Sequence, residues 1–367
     1  MTLYERSYSF SDPNFSDDPV VENDEGTRTH LGQVRSAGQQ YIAVIISEET
    51  DTENTIVKVI SKDATELYEV SVNKHAVLWD VNDNGEVLLY TETQSGSELV
   101  KELICLSNTG SVKWTVDLSA ELGEGSVGGI EIGTEWAGIV YNDIVKFYDV
   151  SDGSEVQSVD TDINWVSNSN GGLYQECYGS NNGYTLVYKG SGEKVVFVNK
   201  DGDLWVHSMG FHYSPCKRYW ITGRDVNCGR VSVLSYSTPN VDCGGPYVFR
   251  YYIIWRTGES CYIEINRGNY FKTDKWLISP CSEWVIKAAD SIITLYYVKK
   301  AELTQISQTD YASGKSGEQS IDLSFYGKYA IILHDSNELY AYQLKDGVVK
   351  DSLSNPLQSR AVMVCSD

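Results

Sequence analysis

The feature that most constrains the fold of this chain is a pair of strand-like runs that recurs seven times, at intervals of roughly 40 to 50 residues. Each copy has an apolar, β-branched or aromatic run, a short break of Asn, Asp, Gly, Ser or Pro, and a second such run, which is the pattern of a β-hairpin. The copies are Gln33 to Ile46, Ala76 to Tyr90, Gly129 to Tyr141, Trp165 to Tyr178, Phe211 to Thr222, Trp276 to Lys287 and Ile321 to Leu333.

A second hairpin of similar composition follows most of these copies. Examples are Leu103 to Leu118, Ile144 to Val159, Val195 to Val206 and Leu339 to Leu353. Two hairpins in each period give four antiparallel strands, which is one propeller blade. The sequence therefore predicts an all-β chain that forms a seven-bladed β-propeller of four-stranded antiparallel blades. Because the copy near Trp165 is weakly marked, six or eight blades are open alternatives.

The repeats divide the chain of 367 residues into an N-terminal acidic segment, 1–32, and a propeller, 33–367. Seven blades account for most of the length without a second domain. Within the first segment, Leu3 to Phe10 alternates between apolar and polar residues, as an added strand would. It is predicted either to complete the last blade or to form a disordered leader.

Two motifs resemble those of known propeller families. Thr109, Gly110 and Trp114 resemble the Thr-Gly-x-x-x-Trp segment of quinoprotein-like (PQQ-like) repeats. The segment around Ser214 and Pro215 is similar to the Ser-Pro-Asp-Gly-Lys turn of WD40 repeats, with Cys216 in place of Asp-Gly. The resemblance covers about residues 33 to 353 and implies a propeller whose exposed loops dock to proteins or glycans.

One repeat is longer than the others, because Ser214 and the corresponding Ser279 are about 65 residues apart. The excess lies around 237–260 and is predicted to be an insertion that emerges as a loop or a longer hairpin. Its aromatic residues are the candidate binding site, since aromatic side chains are enriched at recognition surfaces. They are Tyr247, Phe249, Tyr251, Tyr252 and Trp255. The alternative is that half of such residues form the inward face of an elongated strand pair.

The charge is strongly negative, with 51 Asp and Glu against 29 Lys and Arg, a formal net charge of -22. Such a surface repels nucleic acids and anionic membranes, so neither is an expected partner. The acidic residues are dispersed through every repeat, as in proteins that stay soluble in molar salt. A halophilic source is therefore our hypothesis, although ordinary soluble propellers are acidic too.

No catalytic or metal site is predicted. The five histidines are scattered, and the eight cysteines contain no C-x-x-C pair of the kind that binds zinc. Asp80, Asn82 and Asn84 begin like a calcium loop, but Thr91 stands where the bidentate Glu is required, and a tight turn explains the residues. No cofactor is expected. The cysteines are expected to be free thiols, with one or two disulfides between Cys216 and Cys281 as the alternative.

No signal peptide and no apolar run long enough to span a bilayer is present, so we expect synthesis in the cytoplasm. The function expected from these features is a non-enzymatic interaction or structural protein. Our most specific hypothesis is a virion component of a virus of halophilic archaea, which binds other proteins of a large assembly or a host surface protein or glycan. The alternatives are a cytoplasmic or surface-associated scaffold of a haloarchaeon and a glycan-processing propeller enzyme with paired carboxylates.

Overall fold

The structure is a computed structural model. It describes residues 28–36, 39–49, 53–125, 127–141, 144–160, 176–179, 184–188, 194–199, 201–208, 217–223, 230–237, 247–255, 260–268, 275–278, 284–289, 292–299, 302–310, 318–323, 329–334, 338–343 and 348–354. These residues form seven four-stranded antiparallel sheets and one short helix. In every sheet the strands are hydrogen-bonded in chain order. The prediction of an all-β chain of four-stranded antiparallel sheets is confirmed.

The chain divides into two compact units, and the N-terminal unit holds sheets 1 to 3 and most of sheet 4. Sheet 1 consists of β1 (Arg28–Arg35), β2 (Tyr41–Glu49), β3 (Asn54–Ser61) and β4 (Glu66–Val72). Sheet 2 consists of β5 (Ala76–Val81), β6 (Val87–Ser95), β7 (Glu98–Leu106) and β8 (Val112–Asp117). Sheet 3, which follows the helix α1 (Ser119–Leu122), consists of β9 (Gly129–Ile132), β10 (Trp136–Tyr141), β11 (Ile144–Asp149) and β12 (Glu155–Asp160). Sheet 4 consists of β13 (Glu176–Gly179), β14 (Tyr184–Tyr188), β15 (Lys194–Asn199) and β16 (Leu204–Ser208).

The C-terminal unit holds sheets 5 to 7. Sheet 5 consists of β17 (Lys217–Gly223), β18 (Arg230–Ser237), β19 (Tyr247–Trp255) and β20 (Ser260–Gly268). Sheet 6 consists of β21 (Lys275–Ile278), β22 (Trp284–Ala289), β23 (Ile292–Lys299) and β24 (Glu302–Asp310). Sheet 7 consists of β25 (Glu318–Leu323), β26 (Tyr329–His334), β27 (Glu338–Gln343) and β28 (Val348–Ser354).

Most predicted hairpins appear where they were expected, and two do not. Most of the fourth copy, Trp165 to Tyr178, lies outside the described residues, and its last residues belong to β13, the edge strand of sheet 4, which pairs with the downstream strand β14. The fifth copy was predicted as a hairpin within Phe211 to Thr222. Instead Lys217–Gly223 is the edge strand of sheet 5 and pairs with the downstream strand Arg230–Ser237. The Ser-Pro-Cys turn residues themselves lie outside the described residues. Sheet 5 therefore begins after this motif. In the second copy, by contrast, the predicted turn does join two paired strands, β5 and β6.

The boundary at residue 32 and the closure of the last blade by the N-terminal segment both stay predictions. Strand β1 begins at Arg28, within the predicted N-terminal segment 1–32. Sheet 7 has four strands of its own between Glu318 and Ser354. Leu3 to Phe10, the strand predicted to close the last blade, lies outside the described residues, so this closure stays a prediction. Within the described part of the chain, no helix has the length and apolar character needed to cross a membrane.

The central strands of the N-terminal unit are buried along most of their length, because a neighbouring sheet covers them. Six consecutive residues of β3, from Thr55 to Ile60, and all six residues of β10 are buried. Continuous β-branched and aromatic runs suit such strands. The edge strands β8 and β12 are mostly exposed. This difference places the hydrophobic core between the sheets.

Each pair of successive sheets in the N-terminal unit shares a hydrophobic cluster. Sheets 1 and 2 enclose one around Ile45, Val57 and Leu89, and sheets 2 and 3 enclose another around Leu103, Trp114 and Ile139. Trp136 and Phe147 of sheet 3 pack edge to face, with ring centroids 5.5 Å apart, in a third cluster that includes Val198 of sheet 4. The successive sheets therefore stack through their apolar faces, as propeller blades do.

Tight turns also connect the sheets of this unit. The turn before each fourth strand contains a glycine with positive φ, namely Gly110, Gly153 or Gly202, or Ala64 at the same place in sheet 1. Each glycine turn packs on the fourth strand of the preceding sheet. A Cβ atom at Gly110 would lie 2.9 Å from the Tyr68 ring, and one at Gly153 would lie 2.7 Å from the Trp114 ring. The Trp114 Nε1 also donates to the Val150 carbonyl at 2.8 Å. We call this arrangement the turn-to-strand contact.

The turn-to-strand contact of Trp114 predicts the effect of one substitution. Gly153→Ala should lower the free energy of unfolding by about 2 to 4 kcal/mol, because it combines backbone strain at φ 75° with a clash against a buried ring. Gly96→Ala is the matched control, since Gly96 has φ 63° and nothing within 4 Å of the added Cβ. It should cost only about 1 kcal/mol. Urea denaturation measures both, and equal losses would contradict a role for Trp114.

Candidate interaction surface

The predicted aromatic site lies on a regular strand. All five residues, Tyr247, Phe249, Tyr251, Tyr252 and Trp255, belong to β19, the third strand of sheet 5. Its backbone pairs with β18 on one side and β20 on the other, so that Phe249 lies opposite both Tyr236 and Asn266. Segments 238–246 and 256–259 of the predicted insertion lie outside the described residues. The five residues therefore lie along one strand that is paired on both sides. Their binding role stays a prediction.

A Ser–His contact between sheets 1 and 2 has the composition of a catalytic pair. The Ser47 Oγ lies 3.1 Å from the His75 Nδ1 and 2.8 Å from the Thr55 Oγ1. Ser47 and Thr55 are completely buried, and His75 is nearly so. The backbone N–H of Ala76 donates to both hydroxyl oxygens, at 2.8 and 2.9 Å. No substrate atom can reach a serine in this position without opening the sheet interface.

The hydrogen-bond directions in this group also oppose a catalytic role. The Thr55 hydroxyl donates to the Lys74 carbonyl at 2.7 Å, so Ser47 must be the donor between the two hydroxyls. The His75 Nδ1 then donates to Ser47, and a nitrogen that carries a hydrogen cannot remove the serine proton. The group is better explained as a joint that satisfies buried polar atoms between two sheets.

A second polar joint connects sheets 2 and 3. The buried Asn82 side chain donates to Glu86 and to the Gly133 carbonyl, both at 2.8 Å, and its oxygen accepts the N–H groups of Asn84 and Glu86. Asp80 accepts the N–H of Ile132 at 2.9 Å. These residues were considered for a calcium loop, and the structure instead shows the expected tight turn. Among the described residues no group of three or more His, Cys, Asp or Glu is placed to hold a metal ion.

The ionisable side chains buried in this unit are poorly suited to nucleophilic chemistry. Burial raises the pKa of the Cys105 thiol to about 12 and that of the Tyr148 hydroxyl to about 12. Burial likewise raises the pKa of Tyr68. A thiol or phenol with such a pKa is protonated at neutral pH, and the protonated form is a weak nucleophile. Cys105 is a free thiol, as predicted, and the state of the cysteines between Cys216 and Cys281 stays a prediction.

An ionic cluster joins α1 to sheet 3. The Lys146 Nζ lies 2.6 Å from the Glu121 Oε1 and 2.9 Å from the Glu155 Oε2, and the Tyr141 hydroxyl also donates to Glu121. Desolvation opposes the charge on Glu121, but the hydrogen bonds from Lys146 and Tyr141 outweigh it and lower the pKa of this carboxyl. Desolvation also opposes the charge on Lys146, and its two carboxylate partners raise the pKa of Lys146 overall. Both groups are therefore charged at neutral pH.

The exposed part of this unit carries a repeated apolar feature. Four aliphatic residues lie at the start of the fourth strands of four consecutive sheets: Leu67, Val112, Val156 and Leu204. Their exposed fractions are 41%, 57%, 50% and 37%. We call this set the aliphatic row. Single exposed aliphatic residues are ordinary, but the same location in four consecutive sheets is a regular arrangement.

The turn-to-strand contacts place the members of the aliphatic row side by side. Tyr68, the neighbour of Leu67, meets the Gly110 turn, and Val112 follows that turn by two residues. In the same way Gln157, the neighbour of Val156, meets the Gly202 turn, which directly precedes Leu204. The row therefore runs along one end of the sheets, and Leu67 and Val156 each lie beside a residue that contacts the turn of the following sheet.

Irregular pairing accompanies this row. The register between the third and fourth strands shifts at Leu67, which is skipped between Tyr68 and Glu66, and at Val156, which is skipped between Gln157 and Glu155. In sheet 2 the shift lies directly after Val112. A β-bulge re-aims side chains at a sheet edge. Bulges of this kind explain why Leu67 and Val156 are exposed at the edges of their sheets.

The sequence reading missed the aliphatic row, although a signal for it exists. Each member follows the turn of the last hairpin in its repeat by one or two residues. The four turns are Asp63-Ala64-Thr65, Thr109-Gly110-Ser111, Asp152-Gly153-Ser154 and Asp201-Gly202-Asp203. Alignment of the repeats on these turns would have shown a recurrent aliphatic residue. Its exposure was not predictable, because the alternation of a strand does not reveal a bulge.

No protein-family model matches the chain, and no curated protein matches its sequence. Among solved structures, Hsv2 of Kluyveromyces lactis is 9% identical over 89% of this chain and 100% of that chain, with a TM-score of 0.50. The C-terminal WD40 domain of Sif2 is 12% identical over 91% and 89%, with a TM-score of 0.48. The β-propeller domain of Cps50 (Swd1) from Myceliophteria thermophila is 12% identical over 79% and 90%, with a TM-score of 0.42.

Similarity at these identities concerns the fold alone. Together with the four-stranded antiparallel sheets, it shows that the chain has a β-propeller fold, as its repeats predicted. The number of blades stays a prediction. The hypotheses of a halophilic source and of a virus gain no support from these proteins.

The ionic cluster gives this unit a specific pH dependence. The folded pKa of Glu121 lies below its ordinary value of 4.5, so its stabilising effect is complete above about pH 4.5 and disappears as the pH falls through the lowered folded value. Glu121→Gln should cost up to about 1 kcal/mol at pH 7, and its difference from the wild type should vanish in acid. Urea midpoints between pH 7 and pH 3 measure this. Glu155→Gln, which changes the more exposed partner of Lys146, is the control and should have a smaller effect; a constant difference at every pH would contradict the prediction.

Proposed function

We propose that this protein is a non-enzymatic scaffold that binds a protein partner along its aliphatic row. The observation that supports the proposal is the exposure of Leu67, Val112, Val156 and Leu204 at corresponding places in four sheets. A partner that covers these four exposed side chains removes their apolar surface from water, which favours binding. Regular strands hold the residues in fixed positions, which lowers the entropic cost of binding.

The polar groups of the same unit support a binding role over a catalytic one. Ser47 and His75 are buried in a joint between sheets, and Asn82 and Glu86 form a second joint. Glu121 and Lys146 neutralise each other. Each of these groups already has a structural role, so the proposal does not require any of them to react. The proposal therefore includes the expectation that the protein does not turn over a glycan substrate.

A narrower form of the proposal concerns the setting. The net charge of -22 supports a virion protein of a halophilic archaeal virus or, as the alternative, a scaffold of a haloarchaeon. The class of partner is the same in both, namely another protein of a larger assembly. The glycan-processing enzyme remains the alternative from a different class, and it requires a pair of carboxylates that act together.

The proposal predicts that partner binding depends on the aliphatic row. A variant with Leu67→Thr, Val112→Thr, Val156→Thr and Leu204→Thr places β-branched residues, which suit strands, at all four positions and removes exposed apolar area. The matched control is Val77→Thr with Leu99→Thr, which changes two other aliphatic residues of the same unit, 37% and 43% exposed. Tagged proteins should be purified from the native source and their partners quantified by mass spectrometry.

The expected result is a partner recovered at fixed stoichiometry with the wild type and the control, and reduced at least about tenfold with the fourfold variant. Because the changed residues are partly exposed, each substitution should cost no more than about 0.5 kcal/mol and the fourfold variant no more than about 2 kcal/mol, which urea denaturation checks. Equal recovery with the fourfold variant would overturn the role of the row. Turnover of a glycan that is lost when one carboxylate becomes its amide would overturn the non-enzymatic proposal.

A further inference from the structure

The position of the aliphatic row restricts what can occupy it. Its members lie on β4, β8, β12 and β16, the last strands of four successive sheets, and the first strands of these sheets contact one another. Propeller sheets are arranged radially, so the last strands are the outermost ones and the row follows an arc. A straight rod such as a single α-helix cannot follow an arc. A partner strand that extended one sheet would meet only one member of the row.

An unstructured segment of a partner protein satisfies this restriction. Such a segment bends from sheet to sheet and needs no fixed interval between the members of the row. Segments of this kind become ordered on binding and can wrap around a large surface. A folded partner would need a concave surface that matched the arc. The shape of the row therefore favours an extended, adaptable segment.

The charged residues beside the row on the outer strands are already paired. The residues that carry a charge next to Leu67, Val112 and Val156 each form an ion pair within the unit. The pairs are Glu66 with Lys58, Lys113 with Glu86 and Glu155 with Lys146, at 3.5, 2.7 and 2.9 Å. These charges are balanced before a partner binds, so they contribute little to the choice of partner.

The turns that precede three members of the row have an excess of negative charge. We call the turns 61–65, 149–154 and 201–203 the acidic turns, because they contain five Asp residues and one Lys. An acidic border of this kind attracts a cationic partner. It also disfavours a second copy of this chain as the occupant, since that copy would carry the same net charge of -22.

Two carboxylates of the acidic turns are available to a partner. Asp63 accepts a hydrogen bond from the Ser61 hydroxyl, and Asp152 accepts one from the backbone N–H of Ser154. These bonds lower the pKa of both carboxyl groups, so both are charged at neutral pH. Both residues are exposed, and neither forms an ion pair with a described residue. Their charge can therefore pair with a cation of the partner.

The same offset relates each of these carboxylates to the row. Asp63 precedes Leu67 by four residues, and Asp152 precedes Val156 by four residues. Four residues of chain span at most about 14 Å. An extended segment that covers Leu67 or Val156 with an aliphatic side chain can thus reach the carboxylate from a position within about four residues. Lys and Arg suit that position, because their apolar stems cover aliphatic surface while their charged ends reach outward.

We propose that the aliphatic row and the acidic turns bind an extended segment of a partner protein, in which each aliphatic residue has Lys or Arg within about four positions. This inference rests on the proposed scaffold function and specifies the partner class. The aliphatic residues of the segment cover the row, and its basic residues pair with Asp63 and Asp152. Affinity comes from both contacts, and the acidic turns orient the segment.

The test measures fluorescence anisotropy of labelled peptides of about 30 residues with the full-length chain. The probe peptide repeats Gly-Leu-Ser-Lys. It is flexible and spans up to about 100 Å when extended, so its length does not limit binding. In three comparison peptides Glu replaces Lys, Ser replaces Leu, or Ala replaces both Gly and Ser. The last peptide is expected to be helical, which circular dichroism checks.

Two variants of the protein separate the two contacts. The fourfold Thr variant removes apolar area, and its control is Val77→Thr with Leu99→Thr. The double Asn variant, Asp63→Asn with Asp152→Asn, removes two charges and keeps a side-chain oxygen that accepts the hydrogen bonds. Its matched control is Asp117→Asn. Asp117 is also an exposed carboxylate that accepts a backbone N–H two residues further on, but it lies at the other end of β8.

The expected result in dilute salt is saturable binding of the probe, at least about tenfold weaker with the fourfold Thr variant and at least about threefold weaker with the double Asn variant. Both controls should bind the probe as the wild type does. At about 1 M salt the loss with the double Asn variant should disappear, because screening removes the ionic contact, and the loss with the fourfold Thr variant should remain. Each comparison peptide should bind the wild type at least about tenfold more weakly in dilute salt.

Five results would each overturn the inference. They are no binding at about 1 mM probe, equal binding by the fourfold Thr variant, equal binding by the double Asn variant in dilute salt, equal binding of the helical peptide, and equal binding of either the Glu peptide or the peptide without Leu. Equal binding of the peptide without Leu would indicate attraction to the net charge alone.

Failure of the inference can be separated from failure of the proposed function. If the native partner is lost with the fourfold Thr variant but the probe peptide fails these tests, the row binds a protein and the assignment of an extended basic segment is wrong. If the probe binds as expected but the native partner is retained by the fourfold Thr variant, the row has the chemistry described and the native partner docks elsewhere.

Discussion

The turn-to-strand contact is the interaction on which the described N-terminal unit depends. A turn with a positive φ residue brings its backbone against a side chain of the preceding sheet, as Gly153 does against Trp114. The Trp114 Nε1 then finds its acceptor in the same turn, at the Val150 carbonyl. A side chain at Gly153 would occupy the position of the ring. Glycine is therefore required by space as well as by backbone conformation, and the contact determines how closely one sheet approaches the next.

The same contact explains the exposure of two members of the aliphatic row. Tyr68 and Gln157 occupy the space against the following turn, and the residue just before each of them on the strand is directed elsewhere by the bulge. Leu67 and Val156 are then exposed at the edge, although their residue types would suit a core. Exposure at these places follows from the way the sheets are joined. An exposed apolar residue that recurs for a structural reason is available for binding without any change in the core.

The sequence predicted the parts of the fold that depend on local chemistry. Alternating runs around polar turns located β5 with β6 and β7 with β8, because strand and turn preferences act over a few residues. The fifth repeat was misread because Ser214 and Pro215 resemble a turn between strands of one sheet, whereas Lys217–Gly223 pairs with the strand that follows it. The choice between two possible partner strands depends on contacts with distant residues, which a local pattern does not contain.

The candidate site depended even more on distant contacts. Ser47 and His75 are 28 positions apart, and only the stacking of sheets 1 and 2 shows that their contact is a buried joint. The aromatic residues of β19 were recognised by composition, which cannot distinguish a binding surface from a paired strand. The aliphatic row required three pieces of information together: the register shift, the exposure and the contact between turn and strand. None of these can be read from a single repeat.

Apolar and ionic contacts with a partner respond to salt in opposite ways, and this relates the aliphatic row to the net charge of -22. Attraction between the acidic turns and positive charges of a partner is screened over about 8 Å at physiological ionic strength and over about 3 Å in molar salt. Burial of aliphatic side chains is not screened, and salts that are excluded from protein surfaces strengthen it. In dilute salt the acidic turns would therefore contribute both attraction and orientation. In molar salt the aliphatic contacts would supply most of the affinity, and the acidic residues would act mainly to keep the surface hydrated. Docking that persists in molar salt would thus fit the halophilic hypothesis, whereas docking lost well below that concentration would indicate that the dispersed acidity serves recognition in an ordinary cytoplasm.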